Sequence, residues 1–397
     1  MLNGLTLLSA VALSIPLAET ALRLAWPAPS VYRALPPNLK TTFEVRFADG
    51  VQGPSRYEVN SMGVRAWEWA TDRRSEYRIL CMGGSTTEGL ANDQSRVWTA
   101  LLERKLGTMP DGRRVWVGNI GKSGWSSRHH LLQAQHLLDV YDPDWVVVLA
   151  GVNDLASRLK QGDDYDPRYT EKLENHAELV RQSFAVSPGR FPSEWAGDPW
   201  FKTTRVWLLC RLLMHRTQNP AEEDQDPEGR YLVRWRQARA RGRRSSQLPP
   251  LETALNEYAH NLREIVRLVE SHRAGITLMT QPVLWRADLT EEEKARLWMG
   301  GVGEFRSRPG SLYYEPAALA RGLDAYNARL LEVCREAGAH CVDLAAVIPK
   351  TTQYFWDDCH FTDRGQALIA ETLGSALRAP LMPRAAEAGQ ATSGTNR

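Results

Sequence analysis

The chain has no excess of either charge: 49 Lys and Arg stand against 47 Asp and Glu, a formal +2. That balance gives no global field to attract nucleic acid, and no nucleic-acid partner is expected. Cysteine is scarce, with five in 397 residues and no CxxC pair. A disulfide scaffold and the common zinc spacings are therefore excluded. One or two bridges can still form, and Cys334 with Cys341 or Cys359 are the candidates. What is plentiful is ordinary: 43% hydrophobic and 24% charged residues describe a globular chain with a sizeable core, neither disordered nor fibrous. The length suits one catalytic core with additions. The fourteen tryptophans serve either as core and surface packing or as the lining of a cleft.

Residues Met1–Ala18 form the long uncharged stretch, followed by Glu19 and Arg23. At 1.5 Å per residue it spans about 27 Å, close to a bilayer core. A membrane anchor is expected over 1–26, with a cleaved signal segment or a helix packed on the domain as alternatives. No Lys or Arg precedes the run, which weighs against a signal peptide and leaves its orientation open.

Residues 27–76 read as an accessory region, with a hairpin expected over Thr41–Tyr57 around an Ala-Asp-Gly turn. From Tyr77 onward apolar strands alternate with helical patterns. The strands are Arg78–Met82, Arg114–Val117, Trp145–Ala150, Gly275–Thr280 and His340–Val342. Five such runs predict a three-layer α/β/α sandwich around a mostly parallel five-stranded sheet, over 77–380. Ligand sites in such sheets lie beyond the carboxyl ends of the strands. Residues 157–250 read as a largely helical insertion, ending in an arginine-rich stretch, Arg230 to Arg244. That stretch is either a solvated, partly mobile helix or a face for anionic lipid or acidic polysaccharide. Leu255, Tyr258, Leu262, Ile265, Val266 and Val269 make one buried helical stripe, and Gly338 caps another helix. The tail, 381–397, is expected to be disordered.

Four short segments carry candidate chemistry. Ser85, in "GGSTTEG" after the first strand, can cap a helix or act as a nucleophile. The segment lacks the Lys of a phosphate-binding P-loop. "GNIGKSGWSS" follows the second strand, and its glycines serve either a tight turn or a backbone amide aimed into a cleft. "LAGVNDL" ends the third strand, where Asn153 can form an Asx turn or donate to an oxyanion. In "FWDDCHFTDRG", Asp357 can orient His360 while the other ring nitrogen faces a serine. Asp357, His360 and Asp363 are the rival set of metal ligands, although no further matched His or Asp completes a metal motif.

In order and residues, GGST, NxGxxG, GxND and DxxH together resemble the four blocks of the SGNH superfamily of GDSL-like esterases and acyl hydrolases. The similarity covers about Arg78 to Leu377, interrupted by the insertion. "YEVNSMGVRAWEW" and "TQPVLWRADLTEEEKARLW" also resemble a bacterial branch with an N-terminal hydrophobic anchor. The resemblance implies an SGNH-hydrolase, flavodoxin-like fold and a serine esterase. Its nucleophile would be Ser85, its base His360 and its orienter Asp357, with Ser85, Gly124 and Asn153 as oxyanion donors. No metal or cofactor would be needed. The substrate expected is an acylated carbohydrate or lipid, such as an O-acetyl group at the cell envelope, with the catalytic domain outside the cytoplasm. An O-acyltransferase acting on surface polysaccharide and a non-catalytic envelope binding protein are the alternatives. One departure stands out: Gly84 occupies the position where the family name calls for aspartate. The chain also lacks the GxSxG elbow of α/β-hydrolases, which disfavours that fold.

Overall fold

All five apolar runs become strands of one parallel sheet. The computed structural model describes residues 2–26, 30–186, 201, 204–218, 229–308 and 310–381. Its strands in chain order are β1 (Lys40–Phe43), β2 (Ser55–Glu58), β3 (Glu76–Gly83), β4 (Arg114–Asn119) and β5 (Trp145–Leu149). They continue as β6 (Arg243–Ser245), β7 (Gly275–Met279), β8 (Leu312–Tyr314) and β9 (His340–Val342). The main sheet has the order β4-β3-β5-β7-β9, with every neighbouring pair parallel. Ile79, Leu80, Cys81 and Met82 of the inner strand β3 are fully buried, as a strand covered on both faces requires.

The helices are α1 (Leu2–Ala25), α2 (Ser85–Glu88), α3 (Trp98–Leu106), α4 (Ser127–Tyr141), α5 (Val152–Gln161), α6 (Leu173–Ser183) and α7 (Arg205–Gln218). After them come α8 (Arg230–Arg241), α9 (Glu252–Ser271), α10 (Glu291–Ala295), α11 (Pro316–Ala337), α12 (Leu344–Val347) and α13 (Asp363–Leu381). The chain steps from β3 outward to β4, then returns across to β5, β7 and β9. Right-handed crossovers in opposite directions send the connecting helices to opposite faces. Accordingly α3 packs on α13, while α4, α9 and α11 pack in a row. The direction reverses between β3 and β5, and a crevice opens at the carboxyl ends of such a pair. The expected stripe of α9 is buried, and Gly338 caps α11 in the left-handed region at φ 65°.

Several expectations change. The hairpin forms, pairing Lys40–Phe43 with Ser55–Glu58, but residues 44–54 join it as a long loop and not as a tight turn. The helix that begins at Ser85 ends after Glu88, because Gly89 turns left-handed at φ 65°. Among the described residues no helix is long and apolar enough to cross a membrane, so the transmembrane reading finds no support. The side chains of residues 2–13 lie outside the described residues. Beyond them α1 packs along α7: Val206 N–H donates to Glu19 Oε2 at 3.0 Å, and Arg205 Nε donates to the Trp26 carbonyl at 3.0 Å. Nor is the arginine-rich helix uniformly solvated. Arg239 is 3% exposed, with its guanidinium donating to the carbonyls of Met299 and Tyr314. Of the tail expected over 381–397, Leu381 ends α13 and 382–397 lie outside the described residues, as do 187–200, 202–203 and 219–228 of the insertion.

Candidate active site

Strand β3 must stop abruptly for Ser85 to reach the crevice. A Cβ at Gly83 would lie 2.1 Å from Thr87 Oγ1 and 2.8 Å from the Leu149 carbonyl, so only glycine admits this turn. Gly84 is the N-cap of α2 and provides no side-chain cap, and Ser85 opens the helix. The Ser85 hydroxyl is therefore not spent as a cap. It lies 2.7 Å from His360 Nε2.

His360 comes from the loop before α13. Its Nδ1 lies 2.7 Å from Asp357 Oδ2 and 2.9 Å from Oδ1. The carboxylate is fully buried and accepts three further bonds. The N–H groups of His360 and Cys359 donate to Oδ1 at 2.9 and 3.0 Å, and Trp298 Nε1 donates to Oδ2 at 2.8 Å. Burial works to raise the Asp357 carboxyl, yet the charge and hydrogen bond of His360, then the bond from Trp298, hold it below the ordinary value. Burial works against the charged imidazole, but the Asp357 charge raises His360 well above the ordinary 6.5. The Trp356 ring stacks on His360 at 4.9 Å and 15°, fixing its plane.

The remaining predicted residues converge on the same point. Gly124 adopts φ 82°, and a Cβ placed there would have nothing within 4 Å, whereas a Cβ at Gly121 would meet the Glu88 nitrogen at 2.6 Å. Gly121 is thus a packing glycine, and Gly124 is the one turned toward the cleft. Asn153, in the first turn of α5, donates through Nδ2 to the Trp125 carbonyl at 2.8 Å. That same nitrogen would lie 2.3 Å from a Cβ on Gly84. Position 84 is therefore glycine because the Asn153 amide fills the space beside it. Among the described residues, neither the Ser85 nor the Gly124 N–H donates to a protein acceptor. Together with the second hydrogen of the Asn153 amide they can receive a developing negative charge.

Asp363 stands apart from this cluster. Its carboxylate accepts from Gln52 N–H and Asn92 Nδ2, each at 3.0 Å, and pairs with Arg96. The metal set Asp357, His360 and Asp363 is thus not assembled. Asp357, Cys359 and His360 do lie within 4.8 Å of one another, but both carboxylate oxygens of Asp357 are already engaged by donors.

Sequence reasoning missed Trp298, Asp358 and Glu88. Asp358 is fully buried and accepts from Trp285 Nε1 and the Trp298 N–H, both at 2.7 Å. Burial, and then the charge of Asp357, raise its carboxyl. Glu88 binds the loop that carries Gly124. A cavity of about 1480 Å³ opens over Ser85 and His360, walled by Phe47, Tyr231, Trp235, Trp298 and Trp356.

Residues 81–238 match the model of the GDSL-like Lipase/Acylhydrolase family. None of the curated proteins matches the chain. Among solved structures, Axe2, an acetylxylan esterase from Geobacillus stearothermophilus, is 14% identical. The match covers 77% of this chain and 96% of that one, with a TM-score of 0.40. LAE5, an alpha/beta hydrolase enzyme from the metagenome of Lake Arreo, Spain, is 16% identical over 76% and 94%, with a TM-score of 0.39. The family match falls on the segment holding β3, the Gly124 turn and Asn153, and supports a serine hydrolase acting on ester bonds.

Proposed function

We propose that this esterase works through Ser85, His360 and Asp357, forming an acyl-enzyme on Ser85. Ser85 Oγ attacks the ester carbonyl while His360 Nε2 takes its proton. Asp357 fixes the imidazole tautomer and stabilises the imidazolium. The tetrahedral oxyanion accepts from the N–H groups of Ser85 and Gly124 and from Asn153 Nδ2. Collapse expels the alcohol, which takes the proton from His360, and water then releases the acid by the same route. The observation that carries this reading is the continuous line from Ser85 Oγ through both nitrogens of His360 to Asp357, each link at 2.7 Å.

The substrate proposed is a short acyl ester, such as O-acetyl, on a carbohydrate or lipid of the cell envelope. A cavity of about 1480 Å³ exceeds the roughly 300–1,000 Å³ of common small-ligand sites, which supports a bulky acyl carrier. Its aromatic walls suit sugar faces or lipid chains. A site outside the cytoplasm is supported by the Cys334–Cys341 disulfide. Exposed Ile15, Leu17 and Leu24 on α1 support contact between the N-terminal helix and a membrane surface. Ser85→Ala should abolish hydrolysis of p-nitrophenyl acetate and labelling by a fluorophosphonate in a folded protein. Retained turnover would exclude Ser85 as nucleophile.

A further inference from the structure

Among the described residues, the indole of Trp298 makes the only side-chain hydrogen bond to Asp357 from outside its own loop. Its Nε1–H reaches Oδ2, the same oxygen that lies 2.7 Å from His360 Nδ1. A tryptophan merely disposing of a buried donor could use any acceptor nearby. Here the donor shares the oxygen that faces the imidazole, so it acts on both the direction and the charge of that oxygen.

The indole is also held from two sides. From the sheet side, Asp358 Oδ2 accepts the N–H groups of Trp298 and Met299 at 2.7 and 3.2 Å. From the insertion, buried Arg239 of α8 donates to the Met299 carbonyl, and its charge offsets that of Asp358. One turn earlier on α8, the Trp235 ring packs on Trp298 with centroids 4.9 Å apart. The two adjacent carboxylates thus divide the work. Asp357 faces His360, and Asp358 anchors the segment whose indole returns to Asp357.

We propose that Trp298 is a positioning residue for Asp357, and that α8 of the insertion braces it there through Trp235 and Arg239. This rests on the Ser85–His360–Asp357 reading. It gives the arginine-rich helix a task inside the hydrolase, with Arg239 buried against Met299 and Tyr314 and Arg236 donating to the Arg296 carbonyl at 3.1 Å. The charged and titratable groups facing the Asp357–His360 pair are Asp358 and Cys359 on its own loop; Arg239 of α8 acts on Asp358, and the Arg306 guanidinium lies over the rings of Trp235 and Trp298 at 4.3 and 4.9 Å.

The test uses the full chain and p-nitrophenyl acetate, a substrate too small to depend on the cavity walls. Trp298→Phe keeps the ring and removes the N–H. It should lower kcat roughly tenfold with KM within twofold, as expected when a group orienting a reactive side chain is lost. The pH profile separates this role from loosened packing. Without the indole donor, the Asp357 charge is felt more fully by the imidazolium, so the acidic limb of kcat/KM should move to higher pH by about half a unit. Loose packing alone would weaken the Asp357–His360 contact and move that limb down or leave it in place. Trp235→Leu, at a half-buried position, tests the brace without touching Asp357 and should lower kcat a few-fold in the same sense. Unchanged kcat and pH profile in either folded variant would overturn the proposal. Fluorophosphonate labelling of the wild-type chain keeps the two claims apart: an unlabelled Ser85 refutes the underlying reading, whereas a labelled Ser85 with a wild-type-like Trp298→Phe refutes only this inference.

Discussion

Glu88 Oε2 accepts both the N–H of Ser123, at 2.7 Å, and its hydroxyl, at 2.5 Å. The helix that begins at Ser85 thereby holds the turn that presents Gly124, so two of the three proposed oxyanion donors share one fastening. Glu88 is 8% exposed, and hydrogen bonds to a charged group of this kind contribute about 1.5–3 kcal/mol. Glu88→Ala should lower kcat on p-nitrophenyl acetate by about tenfold, since Gly124 would no longer be held where the oxyanion forms. Glu88→Gln retains an acceptor for the Ser123 N–H and should keep most of the rate. Equal losses in both variants would mean that charge, not tethering, is what Glu88 supplies.

Gly84 and Asn153 should behave as one unit. An alanine Cβ at position 84 would lie 2.3 Å from Asn153 Nδ2 and 3.3 Å from the Trp125 carbonyl. The Asn153 amide would have to leave its bond to Trp125. Gly84→Ala is expected to cost one to two orders of magnitude in kcat, roughly what removal of Asn153 Nδ2 costs, with little change in melting temperature. Combining Gly84→Ala with Asn153→Ala should add almost nothing to the larger single loss. Additive losses in that double-mutant cycle would refute the coupling.

The sheet was legible because its strands are short apolar runs separated by helix-period sequence, and those runs match β3, β4, β5, β7 and β9 within a few residues. The order of the four motif blocks was enough to group Ser85, Gly124, Asn153, Asp357 and His360 into one site. Other features depend on contacts that periodicity does not carry. The break after Glu88 needs the left-handed Gly89, and a lone glycine in a helical pattern is ambiguous. That one arginine of α8 turns inward to the Met299 carbonyl is invisible in a run of arginines. Trp298 and Asp357 are 59 positions apart, a separation that no local sequence pattern bridges.

The His360–Asp357 pair sets a pH dependence of definite sign. A base must be neutral to accept the serine proton, and the Asp357 charge raises His360 well above the ordinary 6.5. The kcat/KM for p-nitrophenyl acetate should therefore still be rising above pH 6.5, with its plateau on the alkaline side. Stability runs the other way for this group. A raised folded value means that its contribution is fully present below the unfolded imidazole value and is lost as pH climbs through the folded one. Asp357, held below 3.8, contributes above the unfolded carboxyl value and loses that contribution as pH falls through the lower folded one. Melting temperature should thus decline on the alkaline side while turnover is still increasing. An activity limb centred at or below pH 6.5 would show that Asp357 does not act on His360 as described.

Cys334, buried in the last turns of α11, is bridged to Cys341 of β9 across a separation of seven residues. The bridge ties the end of a helix to the edge strand of the main sheet. Closing so short a loop limits the entropic gain to about 2 kcal/mol. Cys341→Ser should accordingly lower the melting temperature by about 4 °C. Turnover should stay within twofold, because the donors that hold Asp357 come from Trp298, Cys359 and His360 and not from the bridge. Thiol titration of the denatured wild-type chain should find three reactive cysteines, Cys81, Cys210 and Cys359, and five after reduction. Five before reduction would show that the bridge does not form, and with it would go the support for an oxidising compartment.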